Sequence, residues 1–324
     1  MPFLIGTDEA GYAPNLGPLV MTASVWHVDG ATPEVDLYGR LKDVVCKAPP
    51  PRSAKRPHRR LAIADSKVLY NTTQGIGQLE RGVLAALALV DHCPADWLDV
   101  WQMVDPRSLA YLPELPWHVG YDLRLPLAAD TDDLVRLGPR LRGACEKNGV
   151  RLVAIKSRAV FAEEFNRSTT TLGNKAEALS CATLELLDEA LAHCEGEPVL
   201  AVCDKHGGRN RYGRMLQQRF PDVLIEVHGE NGGESVYRWG PSDTRVEVRF
   251  RARAESFLPV ALASMTSKYL RELAMRAFND FWCGRVRDLA PTAGYPGDAR
   301  RFMNAIREAQ TELQIANTVI WRER

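Results

Sequence analysis

Phe3-Leu4-Ile5-Gly6-Thr7-Asp8-Glu9-Ala10-Gly11-Tyr12-Ala13-Pro14-Asn15-Leu16-Gly17-Pro18, followed by Leu19-Val20-Met21-Thr22-Ala23-Ser24-Val25-Trp26, is the stretch from which the architecture is best read. Residues 3–7 and 18–28 are apolar and β-branched, and the loop between them holds Gly11, Pro14, Gly17 and Pro18. The pattern predicts strand, polar turn, strand. Two adjacent carboxylates, Asp8 and Glu9, stand where a buried strand meets that glycine-rich turn. Desolvation and mutual repulsion make the place expensive for them unless a cation offsets both, which a divalent metal ion does. The competing reading has Asp8 capping the turn and Glu9 pointing into water.

Outward from this hairpin, Leu79, Val83, Leu87 and Val90 recur at helical spacing after Asn71-Thr72-Thr73, predicting a capped amphipathic helix over 74–90. An apolar strand follows at Leu152–Lys156, then a helix over about 175–193 with Leu179, Leu186, Leu187 and Leu191 inward. The run 198–203 reads as a strand that stops at Asp204. Strands near 222–228, 234–239 and 244–253 precede a helix of about 256–281, striped by Leu258, Leu262, Met265, Tyr269 and Leu273. A last helix, about 298–313, places Phe302, Ile306, Ala309 and Leu313 inward. Strands alternating with helices and opened by a hairpin imply an α/β layered domain. It is expected to occupy 1–324 with two interruptions. One is a basic loop at about 48–60, too proline-rich for helix or central strand. The other, about 91–150, carries nine acids from Asp91 to Asp133 and reads as an insertion or subdomain.

Composition bounds the function. The chain's 324 residues are 45% hydrophobic, enough for an ordinary globular core. Lys plus Arg number 41, equal to Asp plus Glu, so attraction to a polyanion has to come from local clusters of charge. Seven Cys with no Cys-x-x-Cys pair argue for thiols in a reducing compartment, and against a disulfide framework or zinc cage. Acids appear too early at the N-terminus for a secretory signal. The longest apolar run, Val83 to Val90, is far short of the roughly 20 residues that cross a bilayer. A cytoplasmic protein without membrane insertion is expected. The chain lacks His-Glu-x-x-His, Gly-x-Ser-x-Gly and Walker patterns, which removes the anchors of rival hydrolytic chemistries.

Asp8-Glu9-Ala10-Gly11 followed by Gly17-Pro18 resembles the opening signature of the type-2 ribonuclease H family (ribonuclease HII/HIII-like), and further blocks arrive in that family's order. Asp65-Ser66-Lys67 resembles its Asp-Ser-Lys segment, and Phe165-Asn166 resembles the approach to its third carboxylate, itself matched by Asp204. Ala263-Ser264-Met265-Thr266-Ser267-Lys268, continuing to Arg271, is similar to the family's Ala-Ser-Ile-x-Ala-Lys helix with its trailing Arg. Gly294-Tyr295-Pro296-Gly297 resembles a Gly-Tyr-Gly segment. The likeness spans about two-thirds of the chain. It implies a ribonuclease H-like mixed central sheet flanked by helices, and a divalent-metal-dependent endonuclease that hydrolyses the RNA strand of RNA/DNA hybrids with two ions. Asp8, Glu9, Asp204 and, one position from the family's alignment at Ala254, Glu255 would hold the metals. An all-oxygen ligand set suits Mg2+ or Mn2+. The expected partner is an RNA/DNA hybrid or ribonucleotide-containing duplex. Contacts to it are expected from Gly11, Tyr12, Ala13, Ser66, Lys67, Lys268 and Tyr295, and from the basic turn after Asp204 through Lys205, His206 and Arg209.

Departures bear on substrate. The family's Gly-Arg-Gly turn, which with its C-terminal Tyr recognises the 2′-hydroxyl at an RNA–DNA junction, is here Gly11-Tyr12-Ala13. The Arg donors are lost and a Cβ is added where backbone approaches the sugar. Two other classes therefore stay open: a nuclease for structured DNA, and a catalytically silent nucleic-acid-binding protein on the same fold. For Glu255 the competing reading is an exposed acid at a helix N-terminus, favoured by the helix dipole. The acidic segment has no assigned protein partner.

Overall fold

Strand β1 (Phe3–Ala10) and strand β2 (Leu19–Val28) form the antiparallel hairpin, with Phe3 opposite His27 and Asp8 opposite Thr22. The computed structural model describes residues 2–32, 35–49, 59–70, 75–194 and 196–323. Most of the basic loop, and Asn71-Thr72-Thr73, lie outside the described residues, and the helix expected over 74–90 runs Gly77–Leu89 with Ile76 at its N-cap and no side-chain cap bond, so that triplet does not cap it. β3 (Val45–Cys46) and β4 (Leu61–Ala62) make a small parallel pair apart from the main sheet. β5 (Val150–Val160), β6 (Val199–Asp204), β7 (Glu226–Glu230), β8 (Glu234–Trp239) and β9 (Val246–Arg251) complete the main sheet, in the order β5-β2-β1-β6-β9-β8-β7. β1, β6 and β9 run parallel at its centre, and the flanking pairs are antiparallel. This is the mixed sheet flanked by helices that the sequence implies.

The two-residue period of β1 sends Leu4 to one face and Phe3 and Ile5 to the other, and each face is covered by its own hydrophobic cluster. Phe3 and Ile5 meet the Lys175–Leu191 helix, where Leu179, Leu186 and Leu187 are fully buried. That helix opens on an N-cap, with the Asn174 side chain accepting from Glu177 N at 2.9 Å. On the opposite face lies the Leu258–Cys283 helix, with all five residues of its expected stripe buried. It begins two residues later than its periodicity indicates, at Leu258, with Phe257 as its extended N-cap and Pro259 in the first turn, where the missing N–H costs no helical hydrogen bond. Just ahead of it lies a short 3-10 turn, Ala254–Ser256, which contains Glu255. This helix sits unusually close to β1: a Cβ at Gly6 would lie 2.1 Å from Val260 N, so only glycine admits the contact.

The acid-rich segment is mostly helical, with helices Trp97–Val104 and Thr131–Lys147, and its Trp97, Trp101, Leu137 and Leu141 join the cluster under the Leu258–Cys283 helix. Its acids are largely spent locally. Asp96 and Asp130 cap the two helices, Asp105 accepts from Ala159 N at 2.7 Å, Asp133 pairs with Arg81, and Asp91 pairs with Arg142. Among the described residues no helix is long and apolar enough to cross a membrane.

Candidate active site

Register alone brings the acids together. β1 and β6 run parallel with Thr7 opposite Cys203, so Asp8 and Asp204, each one residue further, end side by side at the same edge of the sheet. β9 lies beyond β6 with Arg251 opposite Asp204, and the chain leaving it reaches Glu255 within four residues. Each carboxylate is anchored. Asp8 Oδ1 accepts from Glu9 N at 2.8 Å, and Asp204 Oδ1 accepts from Ala254 N at 3.1 Å. Ser267 Oγ donates to Asp8 O at 3.0 Å and lies 2.8 Å from Thr22 Oγ1. Ser264, one turn earlier, is within 3.2 Å of Ser66 Oγ and favours the charged form of Asp8.

The group is electrostatically costly. Burial first, and then the charges of Glu9 and Asp204, push Asp8 well above the usual carboxylate range. Burial, reinforced by Asp204, lifts Glu9 to about 7. Burial lifts Asp204 to about 6, against the Ala254 N–H bond that favours its charge. Lys67 partly offsets this: its Nζ lies 3.8 Å from Glu255 Oε1, and its charge lowers both Glu9 and Asp204. Glu255 is not the exposed helix-end acid of the competing reading; its side chain is 13% exposed and turned toward Lys67. Among the described residues no three His, Cys, Asp or Glu side chains are gathered as a ready metal cage. In chemistry the donors nevertheless fit a hard divalent cation, being all oxygen, crowded, and with Asp8, Glu9 and Asp204 raised in pKa by burial and by neighbouring carboxylates.

Beside the acids, the loop 11–18 is held by guanidinium groups. Gly11 has φ +91°, and a Cβ there would lie 2.6 Å from Pro18 O. Arg271, fully inside the fold, donates to Pro18 O at 2.7 Å, Leu16 O at 3.0 Å and Ala293 O at 3.1 Å. Gly294 O accepts from Asn15 N at 2.8 Å, which sets the neighbouring Tyr295, 54% exposed, beside the same loop. The half-buried Tyr12 ring carries Lys175 Nζ 4.6 Å from its centroid, and Ala13 is exposed. Lys268 lies one helical turn past Ser264, paired with Glu272 and 4.5 Å over the Tyr70 ring.

The basic turn after Asp204 differs from its expected role. Lys205 is buried, and its Nζ donates to Asn210 Oδ1 at 2.7 Å and to Asn231 O. His206 is 2% exposed with Nδ1 2.9 Å from Ser180 Oγ, and burial pushes its imidazole down to about 3, so it is neutral at ordinary pH. Neither offers a free cation to a phosphate, because the turn folds inward under the β7–β8 hairpin. Arg209 pairs with Glu177 at 2.6 Å but lines, with Tyr12, Gly207 and Gly208, an open cleft of about 510 Å³. Arg211, outside the expected set, is the exposed cation of this turn, its side chain 90% exposed. A second residue absent from that set, Arg322, enters the loop from the far end of the chain and donates to Gly11 O at 2.5 Å.

No family model matches the chain, and no curated protein does. Among solved structures it is similar to that of the PCNA:RNase HII complex from Archaeoglobus fulgidus, at 15% identity over 99% of this chain and 94% of that one, with TM-score 0.42. It is similar also to ribonuclease H2 from Pyrococcus horikoshii OT3, at 13% identity over 98% and 92%, TM-score 0.45. A third likeness is to Bst-RNase HIII in complex with Mn2+, at 15% identity over 98% of this chain and 68% of that one, TM-score 0.41.

Proposed function

We propose that this chain is a divalent-metal-dependent endonuclease of the type-2 ribonuclease H kind, hydrolysing the RNA strand of RNA/DNA hybrids. One observation carries the reading: Asp8, buried, and Glu9 and Asp204, half-buried, lie at one edge of the sheet, all three raised in pKa by burial first and then by neighbouring carboxylates. A fold retains such a group at a cost to its stability, and clusters of this kind mark functional sites. Asp8, Glu9, Asp204 and Glu255 would hold Mg2+ or Mn2+, which when bound supplies an activated water and charge stabilisation at the leaving oxygen. The chain's own residues do the rest. Ser267 holds the Asp8 backbone carbonyl, and the Glu9 and Ala254 N–H groups fix where the Asp8 and Asp204 carboxylates stand. Lys67, 83% exposed, places a positive charge at the mouth where a phosphate would enter. Gly11 lets the loop turn tightly against Pro18 O and Arg271 beside the acids, and the exposed Tyr295 offers a ring face next to that loop.

With Tyr12 and Ala13 in place of Arg and Gly, the substrate is expected to be a continuous hybrid at least as readily as a single embedded ribonucleotide. A second reading, binding without cleavage, is favoured by the contact between Lys67 and Glu255, which spends the fourth carboxylate on a side-chain cation. One experiment separates them: labelled RNA/DNA hybrid, single-ribonucleotide duplex, all-DNA duplex and branched DNA are incubated with Mg2+ and with Mn2+. Cleavage of the hybrid that Asp8→Asn abolishes supports the proposal. Binding with no cleavage by either metal supports the second reading, and selective cutting of branched DNA transfers the activity to structured DNA.

A further inference from the structure

We infer that Arg322 is a positioning residue for the substrate-facing loop 11–16, acting through the Gly11 and Pro14 carbonyls. The inference rests on the nuclease reading for its catalytic consequence, though not for its geometry. The segment Ala316–Glu323 returns to the hairpin where the chain began. Leu16 bridges Trp321, Arg322 N donates to Asn15 O at 2.8 Å, and Asn15 Nδ2 donates to Arg322 O at 2.9 Å. Asn166 fastens the same segment from the other side, its Nδ2 donating to Trp321 O at 2.9 Å and its Oδ1 accepting from Glu323 N at 2.7 Å. Backbone pairing alone would hold the segment. Arg322 adds a guanidinium, 1% exposed, whose Nη2 reaches Gly11 O and Pro14 O.

The choice of arginine is what points to function. Phe165 lies 4.9 Å from the guanidinium carbon, and among the described residues Nε and Nη1 have no hydrogen-bond partner. Nor, among the described residues, does a carboxylate pair with it, and the like charge of Arg271 adds to the cost of its burial. A buried cation with three of its five N–H donors unspent costs stability, and an apolar side chain of similar length in its place is commonly neutral or stabilising. What an apolar residue cannot do is grip two carbonyls of a loop that must bend through Gly11 at φ +91° just two residues beyond Glu9. Arg271 holds the C-terminal half of the loop by Leu16 O and Pro18 O; Arg322 holds the half next to the acids. Between them they account for why Phe165 and Asn166 stand where they do: one underlies the guanidinium and the other ties its backbone.

The test uses the full chain as wild type, Arg322→Met and Arg322→Lys. Amide hydrogen exchange is followed at residues 11–16 against β1 and β6 as internal reference, together with thermal stability, Mg2+ affinity, and kcat and KM on an RNA/DNA hybrid. The expected result for Arg322→Met is unchanged or raised thermal stability, exchange in 11–16 faster by tenfold or more with β1 and β6 unaffected, and unchanged Mg2+ affinity. KM rises by roughly tenfold, the scale of a lost charged hydrogen bond, while kcat stays close to wild type. Lys, with one donor head in place of a fork, should restore only part. Unchanged exchange and KM would overturn the inference. So would a fall of stability, kcat, metal affinity and exchange protection together, or a failure of both variants to fold, since each marks a merely structural role. If wild type cuts no substrate, the nuclease reading fails, and the exchange arm still decides whether Arg322 holds the loop.

Discussion

Asp204→Asn should separate stability from activity, because its carboxylate is expected to cost the fold what the proposed function gains from it. Burial raises Asp204 from 3.8 to about 6, with Glu255 adding to the rise. For an acid whose folded pKa lies above its unfolded value, the folded state binds more protons between the two. Stability therefore falls as pH rises from about 3.8 to about 6, and the full penalty persists above that window. A rise of this size corresponds to about 3 kcal/mol at most, and screening at a partly exposed edge brings it to about 1–2 kcal/mol. Asn keeps an oxygen for the Ala254 N–H bond and removes the charge, so in EDTA at pH 8 the variant should unfold later than wild type by about that amount. Mg2+ should then narrow the gap. An ion at ten times its dissociation constant stabilises the wild type by about 1.4 kcal/mol and should leave the variant almost unmoved. Urea unfolding at pH 8, in EDTA and in Mg2+, reads both effects. A variant less stable than wild type in EDTA, or one that Mg2+ stabilises equally, would refute the reasoning.

Asp8→Asn should lower cleavage by several orders of magnitude with the circular dichroism spectrum intact; near-normal turnover, contaminating nuclease excluded, would reject the metal assignment. Glu255→Gln should weaken Mg2+ binding in calorimetry and turnover together, whereas an acid that serves only as a partner for Lys67 would leave metal affinity unchanged. Replacing Tyr12 and Ala13 by Arg and Gly should shift relative kcat/KM toward a single embedded ribonucleotide by about tenfold, the weight of a regained charged hydrogen bond. A wild type that already prefers the single ribonucleotide strongly would mean that residues other than Tyr12 and Ala13 read the junction.

The strands and helices were legible because burial imposes a period. The run 198–203 is followed by an acid, and β6 does end at Asp204; the stripe Leu258, Leu262, Met265, Tyr269, Leu273 is buried throughout. Ends were less legible because periodicity does not mark a cap, as at the start of the Leu258–Cys283 helix, where Phe257 is the extended N-cap and Glu255 sits in a separate turn ahead of it. Proximity of Asp8 to Glu9 is covalent, and so visible in the sequence. Proximity of Asp8 to Asp204 depends on the pairing of Thr7 with Cys203 between parallel strands, which no local pattern encodes.

The basic turn shows why adjacency in sequence is a poor guide to charge at a surface. Lys205 and His206 directly follow an acid at the site edge, yet β6 pairs with β9 up to Asp204, and the β7–β8 hairpin beyond it delivers Asn231 O to the Lys205 ammonium. Once that carbonyl and Asn210 occupy Nζ, the ammonium is a structural tie, and His206, enclosed by Tyr212 and Phe250, is a neutral core ring. The cation left outward is Arg211, three residues past Gly208. The same reasoning runs in reverse for Arg322, which carries no motif and lies more than three hundred positions from Gly11, yet reaches its carbonyl. Charge at this site is thus set by which carbonyls the folded chain offers to each cation. Lys205, Arg271 and Arg322 each find backbone oxygens and become part of the frame. Lys67 and Arg211 find only weak carboxylate contacts at 3.8 Å and remain largely exposed, so these two are the cations best placed for a phosphate backbone.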